Sequence, residues 1–261
     1  MPDPNCHRST TRVLDALELI ARGNQGGYTL TEICLQLDTP KSSMFPILHT
    51  LCERHYLSVH PSNGKYTIGM AAFQLGNAYL ENFNALDEVR NELRIITNAC
   101  SETSYFATLR NGNTFYLAKA DSPEPIRMIA EVGHSLPAYS TAIGKALLAD
   151  HSLCDLKKLY PKGLEPLTPN TVTDFSLLEK QLEKIREDGF AYESEESTRH
   201  IRCIAIPLRK KGDIFAALSV AVPIFRYTEE NAGLIHLLLK NAKQKLERLF
   251  QDIDVTQIQN R

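Results

Sequence analysis

The most constraining feature of this chain is a pair of helix patterns with almost nothing between them. "TLTEICLQL" opens with Thr29 and Glu32 in capping-box spacing and carries Leu30, Ile33 and Leu37 on one face. In "TPKSSMFPILHTL", Thr39 occupies the N-cap position, Pro40 the first helical position, and Met44, Leu48 and Leu51 recur at helical spacing. Only Asp38 and Thr39 separate the two patterns, which leaves room for nothing but a tight turn between two steeply crossing helices. The prediction is a helix-turn-helix. Pro46 is the misfit: it removes the donor owed to the Ser42 carbonyl, at a cost of roughly 3 kcal/mol in a helix interior, and predicts a kink.

The flanks extend the pattern. "RVLDALELIARG" places Val13, Leu17 and Ile20 on one stripe before Gly23 and Gly27 stop the helix. Beyond the pair, two strand-like runs, 56–59 and 65–68, are joined by Pro61, Ser62, Asn63 and Gly64, a hairpin wing. A polar leader (1–9) therefore precedes an all-α winged helix-turn-helix domain (10–70). If the helix after the turn reads DNA, its first turn offers Lys41, Ser42 and Ser43 to a groove, while Arg12 and Lys65 can hold flanking phosphates. Residues 1–70 carry six Lys/Arg against six Asp/Glu, so attraction to a polyanion must be local.

The rest of the chain changes character. Residues 71–92 carry Phe73, Tyr79, Phe83, Leu86 and Val89 without a proline, predicting one long amphipathic helix that links domains and packs against a partner copy. From residue 93, "TSYFATL" and "TFYLAKA" flank Asn111, Gly112 and Asn113, and "IRCIAIPL" and "FAALSVAVP" flank Lys211, Gly212 and Asp213. These read as two antiparallel hairpins, with helices at about 141–150, at 174–188 and at the end of the chain, an α+β domain with an antiparallel sheet.

Several classes are excluded or demoted. No run approaches the roughly 18 apolar residues of a membrane span, and the opening residues lack a signal-peptide core, so a cytoplasmic protein with no membrane partner is expected. Six scattered cysteines without a CxxC pair predict reduced thiols. There is no GxSxG, no HExxH and no phosphate-binding loop, so no enzyme and no cofactor is expected. His200 and Cys203 have HxxC spacing, with His134 and Glu195 as conceivable companions; a metal-regulated sensor is the rival reading, and no metal ligand is assigned. A sensor that has lost its operator and acts through protein partners is a third, motivated by Pro46.

From "TRVLDALELIA" and "LTEICLQLDTPKSSMFPILHTLCERHYL" through "KYTIG" to "GHSLPAYSTAIGKALLA" and "IRCIAIPL", the chain resembles the IclR-type bacterial transcription regulators. The resemblance implies a winged helix-turn-helix joined to a GAF-like domain that binds a small effector, an organic acid or aromatic metabolite, and so alters binding to double-stranded operator DNA. It also implies a homodimer or homotetramer. Relatives usually carry a basic residue at position 46 and a glycine at 55, where this chain has Pro46 and His55. Phe45 is then expected to touch a thymine methyl and His49 a phosphate. The effector positions implied are Thr141, Ala142 and Ile143 at a helix start, with Glu193, Cys203, Ser219 and Ala221 on strands. Ala221 stands where relatives often have a serine, and Glu193 should accept a hydroxyl proton or carry a raised pKa.

Overall fold

The computed structural model describes residues 7–23, 26–81, 84–128 and 130–251. The chain divides into two compact units, Met1–Phe83 and Asn84–Arg261.

The first unit runs α1 (Arg8–Arg22), β1 (Tyr28–Thr29), α2 (Leu30–Gln36), α3 (Lys41–Glu53), β2 (Leu57–Val59), β3 (Lys65–Ile68) and α4 (Met70–Glu81). Ala16, Ile20, Ile33, Met44, Leu48, Leu51 and Leu57 form its core, drawn from the apolar stripes of all three leading helices. The capping box of α2 is closed: Glu32 N donates to Thr29 Oγ1 at 3.3 Å, and Thr29 N donates to Glu32 Oε2 at 2.7 Å. In the wing, β3 lies between β1 and β2, both antiparallel to it. At two residues, β1 is too short to show an alternation from which it could be predicted.

One sequence expectation for α3 is corrected. Its N-cap is Pro40, not Thr39: Pro40 is extended (φ -60, ψ 141), so helical dihedrals begin only at Lys41. The Thr39 hydroxyl turns back instead and donates to the Leu37 carbonyl at 3.0 Å. The helix continues on both sides of Pro46 from Lys41 to Glu53, which leaves the expected kink untested. Pro46 and Ser42 are both exposed, so the carbonyl deprived of its usual donor faces water, and the Pro46 carbonyl accepts the Thr50 hydroxyl at 2.8 Å. At the far end of α3, His55 holds φ +61, a left-handed conformation rare for a residue with a side chain. The leader expectation also shifts, since α1 begins at Arg8; residues 1–6 lie outside the described residues.

The second unit runs α5 (Asn84–Cys100), β4 (Thr103–Arg110), β5 (Asn113–Ala120), β6 (Ser135–Pro137), α6 (Ala142–Leu148), α7 (Leu153–Leu159), α8 (Phe175–Asp188), β7 (Ala191–Ser194), β8 (Ile201–Lys210), β9 (Asp213–Pro223) and α9 (Glu229–Leu249). Of the single helix predicted over 71–92, the structure describes α4 and α5, while residues 82 and 83 between them, Phe83 included, lie outside the described residues. The helix α5 runs past 92 to Cys100 because Leu93 and Ile96 prolong the buried stripe of Leu86 and Val89. The sheet order is β6-β5-β4-β9-β8-β7, antiparallel throughout. Helices α5 and α9 cover one face and α6 the other. Burial on both faces explains why β8 and β9 read as nearly continuous apolar runs. Side-chain alternation sends Cys203, Ala205, Ala217 and Ala221 into the core beside α6. No helix among the described residues is long and apolar enough to cross a membrane. Cys34, Cys52, Cys100, Cys154 and Cys203 are free thiols.

Candidate functional sites: a reading helix and an interior pocket

On α3 the buried stripe of Met44, Leu48 and Leu51 leaves the opposite face to solvent. That face carries Lys41, Ser42, Phe45, Pro46 and His49, all exposed; Phe45 is 52% accessible, and its ring centroid lies 6.1 Å from that of His49. Ser43 is half-buried. The first turn of α3 is also uncommitted: α2, α6, α7, α8 and α9 each have a side chain capping their first turn, whereas α3 has none. Its Ser43 and Met44 amides bond to the Pro40 carbonyl, which leaves the Lys41 and Ser42 N–H groups, with the lysine charge, at the end of a helix where anions are favoured. Arg12 on α1 and Lys65 on β3 are half-buried. Lys65 is the less free of the two: a side chain on Gly26 would meet its ammonium at 3.7 Å, and its charge helps to hold the Glu32 carboxyl below its usual range, after the hydrogen bonds from Thr29.

The second site is interior. Tyr105 on β4, Tyr116 on β5, Met128, Thr141, Ala142 and Ile143 at the start of α6, Ser197, Cys203 on β8, and Ser219 and Ala221 on β9 surround one cavity of about 10 Å³. Six of the seven positions expected to hold an effector are thus brought together; Glu193 is not in the lining. Strand register explains its place: Glu193 pairs with Cys203, which pairs with Ala221, so the carboxyl stands behind the cysteine that walls the cavity. It is 3% exposed, accepts from Glu196 N at 2.8 Å, and its Oε1 has no partner among the described residues. Burial pushes its pKa up to about 6, against the lowering effect of that hydrogen bond, and pushes the Cys203 thiol well up.

The start of α6 is fixed by close backbone approach. A Cβ on Gly144 would lie 2.2 Å from the Ala138 carbonyl oxygen, so only glycine fits. The Thr141 hydroxyl accepts from Gly144 N at 3.0 Å and shares a proton with Thr114 at 3.1 Å, so it is spent largely on holding the helix start. One turn on, Lys145 is fully buried and donates to Glu196 at 2.5 Å. Burial lowers its pKa and the Glu196 charge opposes that change.

Sequence reasoning missed Tyr105, Tyr116, Met128 and Ser197. The Tyr105 hydroxyl donates to the Met128 carbonyl and accepts from Ala130 N, each at 3.2 Å, which holds Met128 beside the cavity. Of the four residues of the metal rival, His200 and Glu195 come together at 3.7 Å, and Cys203 does not join them. His200 lies in the turn before β8 with φ +63 and is 85% exposed at its side chain, whereas Cys203 is buried within β8. His134 is exposed, and no metal-ligand cluster occurs among the described residues.

A winged helix-turn-helix whose second helix bares one face, followed by an α+β domain with a small interior pocket, defines the two-module architecture of a DNA-binding regulator with a sensing domain. Residues 9–61 match the IclR helix-turn-helix domain and residues 77–248 match the Bacterial transcriptional regulator IclR C-terminal domain. The HTH-type transcriptional regulator KdgR of Escherichia coli K12 is 29% identical, over 93% of this chain and 92% of its own length. An IclR transcriptional regulator from Alicyclobacillus acidocaldarius superposes with a TM-score of 0.84 at 24% identity, covering 93% of this chain and 98% of that one. An IclR homolog from Microbacterium hydrocarbonoxydans, crystallised with 4-hydroxybenzoate, has a TM-score of 0.78 at 21% identity, covering 92% and 99%. The chain belongs to the IclR family of transcriptional regulators: it binds DNA through its helix-turn-helix, carries an effector-binding C-terminal domain, and is not an enzyme.

Proposed function

We propose that a small carboxylic acid or aromatic metabolite binds in the cavity beside α6 and alters operator binding by the first unit. The observation that carries this is the makeup of the pocket wall. Its polar side is the first turn of α6 with Ser219, its apolar side is Tyr105, Tyr116 and Met128, and it contains no charged side chain. Backbone amides at Ala142 and Ile143 are suited to a carboxylate, and the two rings to an apolar body. The bound 4-hydroxybenzoate in the Microbacterium relative supports the same chemistry. At about 10 Å³ the cavity holds no more than a water-sized group, so an acid must displace part of the lining. An acid that binds only an enlarged arrangement of the pocket shifts the population toward that arrangement.

The output is read by Lys41, Ser42 and Ser43, with Phe45 against a thymine methyl, His49 at a phosphate, and Arg12 and Lys65 on the flanking backbone. Helix-turn-helix proteins read paired half-sites, so the protein acts in the cytoplasm as a homodimer or homotetramer. Met70, Phe73 and Leu75 on α4, each more than 60% exposed, supply apolar surface for that pairing, and residues 71–92 form the linking segment. Thermal-shift screening of small carboxylic acids tests the reading, since a compound that binds only the native state raises Tm. The hit must also change the affinity for the protein's upstream DNA in a salt titration; a hit that leaves DNA binding unaltered refutes the coupling.

A further inference from the structure

We propose that Ser197 is a ligand-contacting, specificity-determining residue of this pocket, taking a hydroxyl or keto oxygen of the bound acid. The inference rests on the carboxylic-acid reading above. The Ser197 side-chain oxygen is shielded from solvent, has no hydrogen-bond partner among the described residues, and belongs to the lining of the same cavity as Ser219 and the start of α6. A buried hydroxyl left unpaired is destabilising, and such groups are rare in folded proteins. A partner that arrives with the effector accounts for it.

The backbone around this serine is held from several sides. The Glu196 carboxylate accepts from Lys145 of α6 at 2.5 Å and from Val172 N at 3.4 Å, while Glu196 N donates to Glu193 of β7. The carbonyls of Glu195 and Glu196 accept the Thr168 and Thr171 hydroxyls at 2.5 and 2.6 Å. Ser197 follows directly, so its position is set before any ligand arrives, which is the condition for a precise hydrogen bond. Ala221 contributes no oxygen from the sheet; Ser197 contributes one from the loop between β7 and β8. The acid fitted by this arrangement has its carboxylate at the start of α6 and a second oxygen toward Ser197.

Calorimetric titration of the full-length protein with two matched pairs, propionate and lactate, benzoate and 4-hydroxybenzoate, tests the assignment. The hydroxylated member of at least one pair should bind about tenfold tighter, the size of a well-made hydrogen bond to a buried group. Ser197→Ala should abolish that preference, leave the affinity for the unhydroxylated acid in place, and leave the unliganded Tm unchanged or raised. Ser197→Thr, which keeps the hydroxyl, should keep the preference. An Ala variant that retains the preference overturns the proposal, as does wild-type protein that binds an acid but discriminates within neither pair. If none of the four acids binds, the carboxylic-acid reading fails first and the role of Ser197 falls with it.

Discussion

The two functional regions are built on opposite terms. The reading face of α3 is a set of side chains that touch little of their own protein: Lys41, Ser42, Phe45 and His49 point away from a core held by Met44, Leu48 and Leu51. The pocket is made of residues that are themselves core. Tyr105, Ala142 and Ala221 are each at most 1% exposed, and the cluster behind them, Lys145, Glu193 and Glu196, is at most 6% exposed as well. Surface chemistry can therefore drift on α3 without endangering the fold, whereas a change near the pocket alters stability and binding together.

The sharpest test is Lys145→Met. Removing the cation leaves Glu196 buried without its partner, and breaking a buried pair in this way costs about 3–5 kcal/mol. The chain contains no tryptophan, so urea unfolding followed by far-UV circular dichroism is the suitable measurement. The second unit should lose most of its stability while the first retains its own transition; a loss under about 1 kcal/mol would show the pair to be dispensable.

Pro46→Ala carries the comparison into the reading helix. The alanine amide can bond to the Ser42 carbonyl, and the interior cost of proline, at most about 3 kcal/mol, is relieved. Because both groups are already solvent-exposed, the expected gain is nearer half of that. A destabilised variant would mean that α3 depends on the geometry the ring imposes.

The chemistry of these places was unequally legible in the sequence. Thr29, Glu32 and the apolar spacing of Met44, Leu48 and Leu51 are local signals, and they placed α2 and α3 within a residue or two. The hairpins announced themselves through Asn111-Gly112 and Lys211-Gly212, all four at positive φ, a conformation that suits Asn and Gly and that Lys211 adopts beside its glycine. The pocket was harder, since its wall comes from chain segments up to 116 positions apart, Tyr105 to Ala221. Tyr105 meets Ser219, and Cys203 meets Ala221, through register alone. No single-chain pattern announces that pairing. Glu193 is expected at the effector only through the family resemblance, and in the structure its register partner Cys203 lines the cavity while Glu193 does not.

Glu193→Gln addresses that buried group directly. The folded pKa is raised to about 6 from a usual 4.5, so the native state prefers the protonated form. Stability from this group is fully present below pH 4.5 and is lost as pH rises through 6. The loss comes to about 2 kcal/mol in all, because a pKa that differs by one between the folded and unfolded states is worth about 1.4 kcal/mol. The Gln variant should lack this slope and gain on wild type between pH 5 and 7. Parallel profiles for the two proteins would place the Glu193 titration elsewhere.

Lys41→Ala is the smallest change in stability and the cleanest discriminator between the two regions. Lys41 is exposed and makes no ion pair among the described residues, so unfolding should shift by less than about 0.5 kcal/mol. Its effect belongs to DNA: one lost phosphate contact lowers affinity across all sequences and reduces the slope of log affinity against log salt by about 1. The start of α3 keeps its two free amides in this variant, so binding should weaken without vanishing. If the salt slope is unchanged while affinity falls, Lys41 acts on a base edge rather than a phosphate, and the division of labour on α3 shifts toward direct reading by its first turn.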